Sequence, residues 1–305
     1  MTQKTLVVIT GPTAVGKTAL CVKIAQHFNT EIISADSRQF YQELSIGTAK
    51  PTPQEMEGVS HHFINSHSIT ENINANDFEK AALTLLQSLF KKHNIVILTG
   101  GSGLYIDALC DGFDENIPEA NPSIRKELEE LHEKHGISIL QEKLNQLDPV
   151  FYNEVDLNNV KRLQRAIEVC MITKKPYSEL RKGIKQERPF KVLKIGLERD
   201  REELFTRVNQ RVDEMMQQGL LEEVKQVSKY RTHNALKTVG YTELFDYLDD
   251  KVALDEAVEK IKVNTRRYAK RQLGWFHKHN DYNWFHPDDQ KSIINFIENS
   301  LKSGS

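Results

Sequence analysis

The sequence predicts an α/β protein, with a P-loop NTPase-like parallel sheet core, an all-helical insertion domain and a helical C-terminal region. Three observations carry this. Short apolar runs alternate with segments of helical period as far as Phe113. Strand signals then vanish between Asn121 and Lys182 and return at Lys191. The first apolar run leads straight into GPTAVGKT, the glycine pattern of a phosphate-binding strand-to-helix turn. On this basis residues 1–113 are the first part of the core, 114–190 the helical insertion, and 191–305 the core completion and helical C-terminal region.

In order along the chain, Thr5 to Thr10 (TLVVIT) reads as a buried strand, and the helix after the glycine loop carries Leu20, Ile24 and Phe28 on one face. A second strand, Glu31 to Ser34, ends next to Asp36. Gln42 to Ser68 is loop-rich, with a short third strand at His61 to Ile64. Asn76 with Glu79 suits the start of a helix whose apolar positions run from Phe78 to Phe90. Ile95 to Leu98 is an apolar strand entering Gly100-Gly101-Ser102-Gly103. In the insertion, Asn121–Pro122 is a cap with a first-turn proline, and Gly136 ends that helix. A later helix sets Val160, Leu163, Ile167 and Cys170 on one side. Strand character returns once, at Lys191 to Leu197, and everything after Glu198 reads as helical, including a long helix from about Asp255 to His279. The tail Ser303–Gly304–Ser305 reads as disordered.

At 305 residues, 39% apolar and 28% charged, the composition is that of an ordinary globular protein. No run approaches the roughly 20 apolar residues of a spanning helix, and Lys4 precedes the first strand directly, so no membrane or secretory signal is expected. Cys21, Cys110 and Cys170 show no ligand spacing and read as buried thiols in a reducing cytoplasm. The histidines, including His61–His62, show none either. The formal charge of −2 hides segregation. Lys161 to Lys191 is rich in Lys and Arg, and Lys260 to Lys278 holds seven Lys and Arg residues without an acid. Such blocks suit a polyanionic partner or two solvated helix faces.

In Gly11-Pro12-Thr13-Ala14-Val15-Gly16-Lys17-Thr18 the glycines let backbone N–H groups curl around phosphate oxygens. Lys17 adds a point charge, and the Thr18 hydroxyl is a Mg²⁺ ligand in such nucleotide- and ATP-binding loops. The strand expected to supply a metal-binding Asp runs instead into Thr99-Gly100-Gly101. The carboxylate near the loop is Asp36, at the end of the second strand, where it suits a base acting on an acceptor. Ser102 and Tyr105 add hydroxyls at the second glycine turn, and Arg207 and Arg211, one helical turn apart, can clamp a diphosphate. A small-molecule kinase also suits the loop and Asp36, and a nucleic-acid-dependent ATPase suits the basic blocks.

Taken together, GPTAVGKT, DSRQFY at Asp36 to Tyr41, IGTAKP at Ile46 to Pro51, GGSGLY at Gly100 to Tyr105, KRLQRAIEV from Lys161, VGY at Val239 to Tyr241 and RRYAKRQLGWF from Arg267 resemble the bacterial tRNA dimethylallyltransferase family, in order and over nearly the whole chain. The resemblance implies transfer of a dimethylallyl group from dimethylallyl diphosphate to N6 of adenosine 37 of tRNA. It implies that the loop Gly11 to Thr18 holds the diphosphate with Mg²⁺ on Thr18, that Asp36 takes the proton, and that Lys17, Ser102 and Arg207 lie at the reacting groups. It places tRNA contacts at Asp36, Ser37, Arg38, Gln39 and Ser102, with Lys237, Thr238, Val239, Gly240, Tyr241 and Thr242. It adds Lys270, Arg271, Gln272 and Trp275, and in the insertion Arg125, Lys161, Arg162, Leu163, Gln164 and Arg165, which would grip the anticodon arm. A cytoplasmic monomer without an obligate protein partner is the matching expectation. Ser102 stands where Thr is common, Lys237 where Arg is usual, and Lys161 where Gln is commoner, none of which removes a catalytic group.

Overall fold

Parallel strands form one six-stranded sheet in the order β3-β2-β4-β1-β5-β6. They are β1 (Thr5–Thr10), β2 (Ile32–Ser34), β3 (His61–His62), β4 (Ile95–Gly100), β5 (Lys191–Leu197) and β6 (Tyr282–Phe285). The structure is a computed structural model that describes residues 3–114 and 116–302; the Ser303–Gly304–Ser305 tail lies outside them. β1 is buried throughout, and apolar from Leu6 to Ile9, because both of its faces are covered. Val7 and Ile9 pack with Leu20 and Ile24 of the helix Lys17–Phe28. Leu6 and Val8 pack on the other side with Phe78 and Leu86 of the helix Ala75–Lys92.

The register decides where the site lies. Thr10 stands opposite both Gly100 and Gly196, and Ser34 stands opposite Thr99. The loops that leave β1, β2 and β4 therefore emerge along one edge of the sheet, its carboxyl edge, where open α/β sheets bind ligands.

Two expectations were wrong in detail. The segment after Glu198 is not wholly helical, since Tyr282–Phe285 pairs with β5 as the edge strand β6. Its YNWF sequence is short, and its pairing partner lies far away in the chain, so periodicity alone gave no signal. The helix before β4 begins two residues earlier than Asn76 and Glu79 suggested. Asn74 is the N-cap and accepts from the N–H groups of Asn76 and Asp77, while the Asp77 side chain accepts from Asn74 N–H. Repeated Asn residues in this stretch offer several caps, and the pair with reciprocal bonds prevails.

The chain divides into two compact units, one of segments up to Cys110 and from Arg188 onward, the other Asp111–Glu187. The second unit is helical, and its core holds Leu128, Leu140, Leu144, Phe151, Leu163 and Ile167. Its first long helix, Pro122–His135, starts on an Asn121 cap with proline at the first position and ends at Gly136, whose φ of 75° favours glycine. In the first unit, the helices Arg201–Gln217, Leu220–Val227, Tyr241–Leu248 and Leu254–Phe276 supply the residues facing the sheet edge.

Candidate active site

The loop from Gly11 to Thr18 joins β1 to the helix Lys17–Phe28. Gly16 is its N-cap at φ 113°, a conformation that suits glycine, and no side chain caps the helix. The first-turn N–H groups are thus left for an anion, favoured further by the helix dipole. Around the loop, cations bind the carbonyls. Lys17 Nζ donates to the carbonyls of Gly11 (2.9 Å) and Pro12 (2.8 Å). Arg207 Nε donates to the Ala14 carbonyl at 2.9 Å, and Arg199 Nε to the Val15 carbonyl at 2.8 Å. Desolvation brings the Lys17 ammonium down to about 8, against the raising influence of Asp36 and with Arg211 lowering it further. Lys17, Asp36 and Arg211 therefore share one electrostatic neighbourhood, and burial also lowers Arg211.

Thr18 lines a cavity of about 20 Å³ together with Cys21, Ser34, Gln39 and Thr99. That is room for about one water molecule. Its polar lining is the hydroxyls of Thr18, Ser34 and Thr99 and the Gln39 carboxamide, beside the Cys21 thiol and the His61 ring. The hydroxyl oxygens are hard donors of the kind Mg²⁺ accepts beside waters and phosphates.

Asp36 follows β2 by two residues and is half-buried. Its Oδ1 accepts from Arg38 N–H at 3.0 Å, which leaves Oδ2 without a protein partner among the described residues. Ser102 belongs to the turn after β4. Its Oγ accepts from Ser37 N–H at 3.0 Å and donates to Ser37 Oγ at 3.2 Å. The second glycine turn thus orients the loop that carries Asp36. Tyr268 stands nearby; it is 38% exposed, and partial desolvation of the phenol, with Asp36's charge the next cause, raises it to about 12. A proton acceptor, a hydroxyl and an N–H-lined anion site at one sheet edge can hold a phosphate ester and deprotonate a second substrate.

Several residues that the resemblance placed among tRNA contacts are engaged inside the protein. The Gln39 carboxamide donates to the carbonyls of Thr48 (3.3 Å) and Ala49 (3.2 Å), bracing the IGTAKP loop. Tyr241 is fully buried, and its hydroxyl donates to Glu223 at 2.6 Å. A side-chain contact to RNA is therefore excluded at Tyr241 in this conformation, as it is at Leu163 in the core of the helical unit. Gly240 is buried, a backbone position at φ 95°. Lys237 and Thr242 are exposed, with Thr238 and Val239 half-buried. Arg38 is half-buried and donates through Nη1 to the Asn234 carbonyl at 2.8 Å.

The helix Leu254–Phe276 has two distinct faces. Lys270 and Arg271 are exposed, whereas Gln272 is buried and Trp275 half-buried, with Trp275 Nε1 donating to Asp107 at 2.9 Å. In the helical unit Lys161 and Arg162 are exposed, with no ion pair among the described residues, and Gln164 is half-buried. Arg125 and Arg165 instead share the buried carboxylate of Glu168, at 3.0 and 2.6 Å. Burial alone would raise that carboxyl, but hydrogen bonds from Arg165, Arg125 and Asn121 N–H hold it below its ordinary range.

Two residues escaped the sequence reading. Arg199, an isolated arginine after β5, binds the loop carbonyl and is itself held by Glu203 (2.5 Å) and Asp288 (2.5 and 3.1 Å). Glu223 accepts from the N–H groups of Ser45, Ile46 and Gly47 at 2.8–3.0 Å as well as from Tyr241. Gly47 is needed there because a Cβ would lie 2.7 Å from the Tyr241 ring. Nothing short-range marked either residue, since both act across long sequence separations.

The fold and the loop define a class: a parallel-sheet α/β protein whose lysine-bearing glycine loop faces a carboxylate and a hydroxyl at one sheet edge. Within it, the chain belongs to the IPP transferase family, whose family model matches residues 39–279. Among curated proteins it is 47% identical to tRNA dimethylallyltransferase 1 of Bacteroides fragilis, over 99% of this chain and 100% of that protein. It is 48% identical to the tRNA dimethylallyltransferase of Cytophaga hutchinsonii, over 98% of each. Among solved structures it is similar to the full-length tRNA isopentenylpyrophosphate transferase of Bacillus halodurans, with a TM-score of 0.74 and 36% identity over 99% of this chain and 98% of that one. A eukaryotic dimethylallyltransferase solved acting on tRNA gives a TM-score of 0.81 at 28% identity, over 99% of this chain and 80% of that one.

Proposed function

We propose that this chain is a tRNA dimethylallyltransferase, transferring the dimethylallyl group of dimethylallyl diphosphate to N6 of adenosine 37 and releasing diphosphate. The observation that carries this reading is the convergence of Asp36, Ser102 and the Gly11–Thr18 loop at one sheet edge. The family membership and the full-length relatives support the same activity. In this reading the loop N–H groups, Lys17 and Arg207 bind the diphosphate and take up its growing charge as the allylic C–O bond breaks. Asp36 Oδ2 accepts a proton from the adenine amino group, whose lone pair is otherwise delocalised into the ring. Ser102 keeps the Asp36 loop in position and lies near the reacting groups. Mg²⁺, held through Thr18 with waters and diphosphate oxygens, would neutralise the leaving group.

The adenine must leave its stack to reach such an edge, at a cost of a few kcal/mol that is least in a loop. The exposed cations Lys237, Lys270, Arg271, Lys161 and Arg162 supply phosphate contacts to the anticodon arm. No helix among the described residues is long and apolar enough to cross a membrane. A cytoplasmic monomer that uses its loop for dimethylallyl diphosphate, with ATP at most a competitor for that loop, completes the proposal.

The test is a three-way incubation: radiolabelled dimethylallyl diphosphate with unmodified tRNA, the same tRNA with adenosine 37 replaced by guanosine, and ATP alone. Label should enter only the first tRNA. Sustained ATP turnover with no transfer of label would refute the reading.

A further inference from the structure

Gln272 lies in the middle of the KRQLGW segment with its side chain turned away from its basic neighbours and 6% exposed. Both ends of its carboxamide are used. Oε1 accepts from the N–H of Thr13 at 2.8 Å, and Nε2 donates to the carbonyl of Gly101 at 2.9 Å. Gly101 must be glycine for this approach, because a Cβ there would collide with Nε2. Three residues further along the same helix, Trp275 packs equally closely over Gly103. One helix face is thus fitted against the glycine turn that carries Ser102.

From Gln272 the hydrogen bonds run in both directions. On one side is Thr13, inside the glycine loop whose carbonyls Lys17, Arg207 and Arg199 hold. On the other is Gly101, next to Ser102, whose Oγ accepts from Ser37 N–H beside Asp36. A carboxamide bound at both ends is a strut of fixed length, and its donor and acceptor ends cannot be exchanged without leaving the half-buried Thr13 N–H and the buried Gly101 carbonyl mismatched.

We propose that Gln272 is a positioning residue that sets the separation between the diphosphate loop and the Ser102–Asp36 side of the site. The inference rests on the transferase reading, and it assigns this residue a role other than contact with tRNA. Displacement at an allylic carbon needs the attacking nitrogen, the carbon and the departing oxygen nearly in line. A misplacement of about 1 Å between the two loops costs on the order of a hundredfold in rate. The strut keeps the two half-sites at one spacing, while Lys270 and Arg271 on the opposite face remain available to a polyanion.

The experiment compares wild type with Gln272→Met, similar in size without the amide, and Gln272→Glu, which keeps the acceptor for Thr13 and loses the donor for Gly101. Single-turnover transfer at saturating substrates, tRNA affinity and thermal midpoint are measured for each. Both variants should transfer at least about tenfold more slowly, with tRNA affinity within about threefold of wild type. In a Ser102→Ala background the further loss from Gln272→Met should shrink to below about threefold, because the two residues act through one turn. Should Gln272→Met fail to fold, Gln272→Glu carries the test. Amide exchange at Thr13 is a readout independent of the reaction and should quicken in both variants. If wild type transfers no dimethylallyl group, the functional reading fails, and unchanged exchange at Thr13 then overturns the strut as well. Loss confined to tRNA affinity, unaltered transfer in a folded variant, or strict additivity with Ser102→Ala would each overturn the proposal.

Discussion

Around the Gly11–Thr18 loop the cations bind backbone: Lys17, Arg207 and Arg199 all donate to loop carbonyls. In the helical unit Asp111–Glu187 the inner cations bind a side chain, Arg125 and Arg165 meeting on the buried Glu168. The difference matters for what each group can do next. A neutral carbonyl is a weaker partner for an ammonium than a phosphate is, so an incoming diphosphate can compete for Lys17. A buried carboxylate shared by two guanidiniums holds them firmly, because leaving it unpaired is costly. Lys17 and Arg207 are therefore poised for a ligand, whereas Arg199, paired with Glu203 and Asp288, and the inner cations of the helical unit belong to the architecture.

The largest expected effect lies on the loop side. Asp36→Asn keeps shape and most hydrogen bonding but removes basicity. Single-turnover transfer should fall by about 10²–10⁴-fold, with affinities for tRNA and dimethylallyl diphosphate nearly kept and an unchanged thermal midpoint. Near-normal transfer would remove Asp36 from the chemistry, and a loss confined to binding would make it a positioning group.

The opposite profile is expected at Glu168. Replacing it with Ala should lower unfolding free energy by about 3 kcal/mol, the low end for a broken buried pair, because Arg125 is half exposed. Transfer by the folded fraction should persist. The carboxyl is held below its ordinary range, so its stabilisation is complete above the unfolded pKa of about 4.3 and is lost as pH falls through the folded value. Denaturant unfolding of both proteins at pH 7 and pH 3.5 checks this: the gap between them should narrow in acid.

A smaller effect follows from Lys17, brought by desolvation to about 8. A bound diphosphate favours the ammonium and so raises this pKa. Affinity is then full below pH 8 and falls above it, by roughly fivefold between pH 8 and 9. Calorimetry of diphosphate binding in buffers of different ionisation enthalpy should show proton uptake of about half an equivalent at pH 8. Zero uptake would mean that Lys17 is fully charged before binding.

How much of this was legible in the sequence follows the same division. GPTAVGKT, Asp36 and the turn at Ser102 were readable because chemistry and backbone geometry there depend on residues adjacent in sequence, and the register of β1, β2 and β4 brings them to one edge. The parallel sheet was legible from its apolar runs, except for β6, which is defined by its pairing with distant β5. The fate of each charge was not legible. Lys260 to Lys278 contains no acid, yet folding brings Asp213 within 2.8 Å of Lys262, and Asn209 bonds Arg266. Arg125 and Arg165 looked as available as Lys161 and Arg162, since helical period does not reveal which arginine meets a buried carboxylate. Gln39 and Gln272 stood among the tRNA contacts that the resemblance implied, although both bond internal backbone.

The smallest effect separates the exposed cations from the committed ones. Each Lys or Arg that contacts a tRNA phosphate displaces a counterion, so its loss should flatten the slope of log K against log salt by roughly 0.7–0.9. Neutralising Lys161 and Arg162 together, or Lys270 and Arg271 together, removes exposed side chains, and the thermal midpoint should hardly move. The tRNA affinity should fall at low salt and the slope should flatten. Replacing Arg165 with Met takes away a partner of Glu168. Stability should drop there, while the slope changes by less than one phosphate contact, because that guanidinium faces a carboxylate before tRNA arrives. The measurement is filter binding of unmodified tRNA over a salt series, beside thermal unfolding of each variant. If Arg165→Met flattens the slope as fully as the Lys161 and Arg162 pair without loss of stability, Arg165 leaves Glu168 to bind phosphate. The line drawn here between committed and available cations would then be wrong for the helical unit.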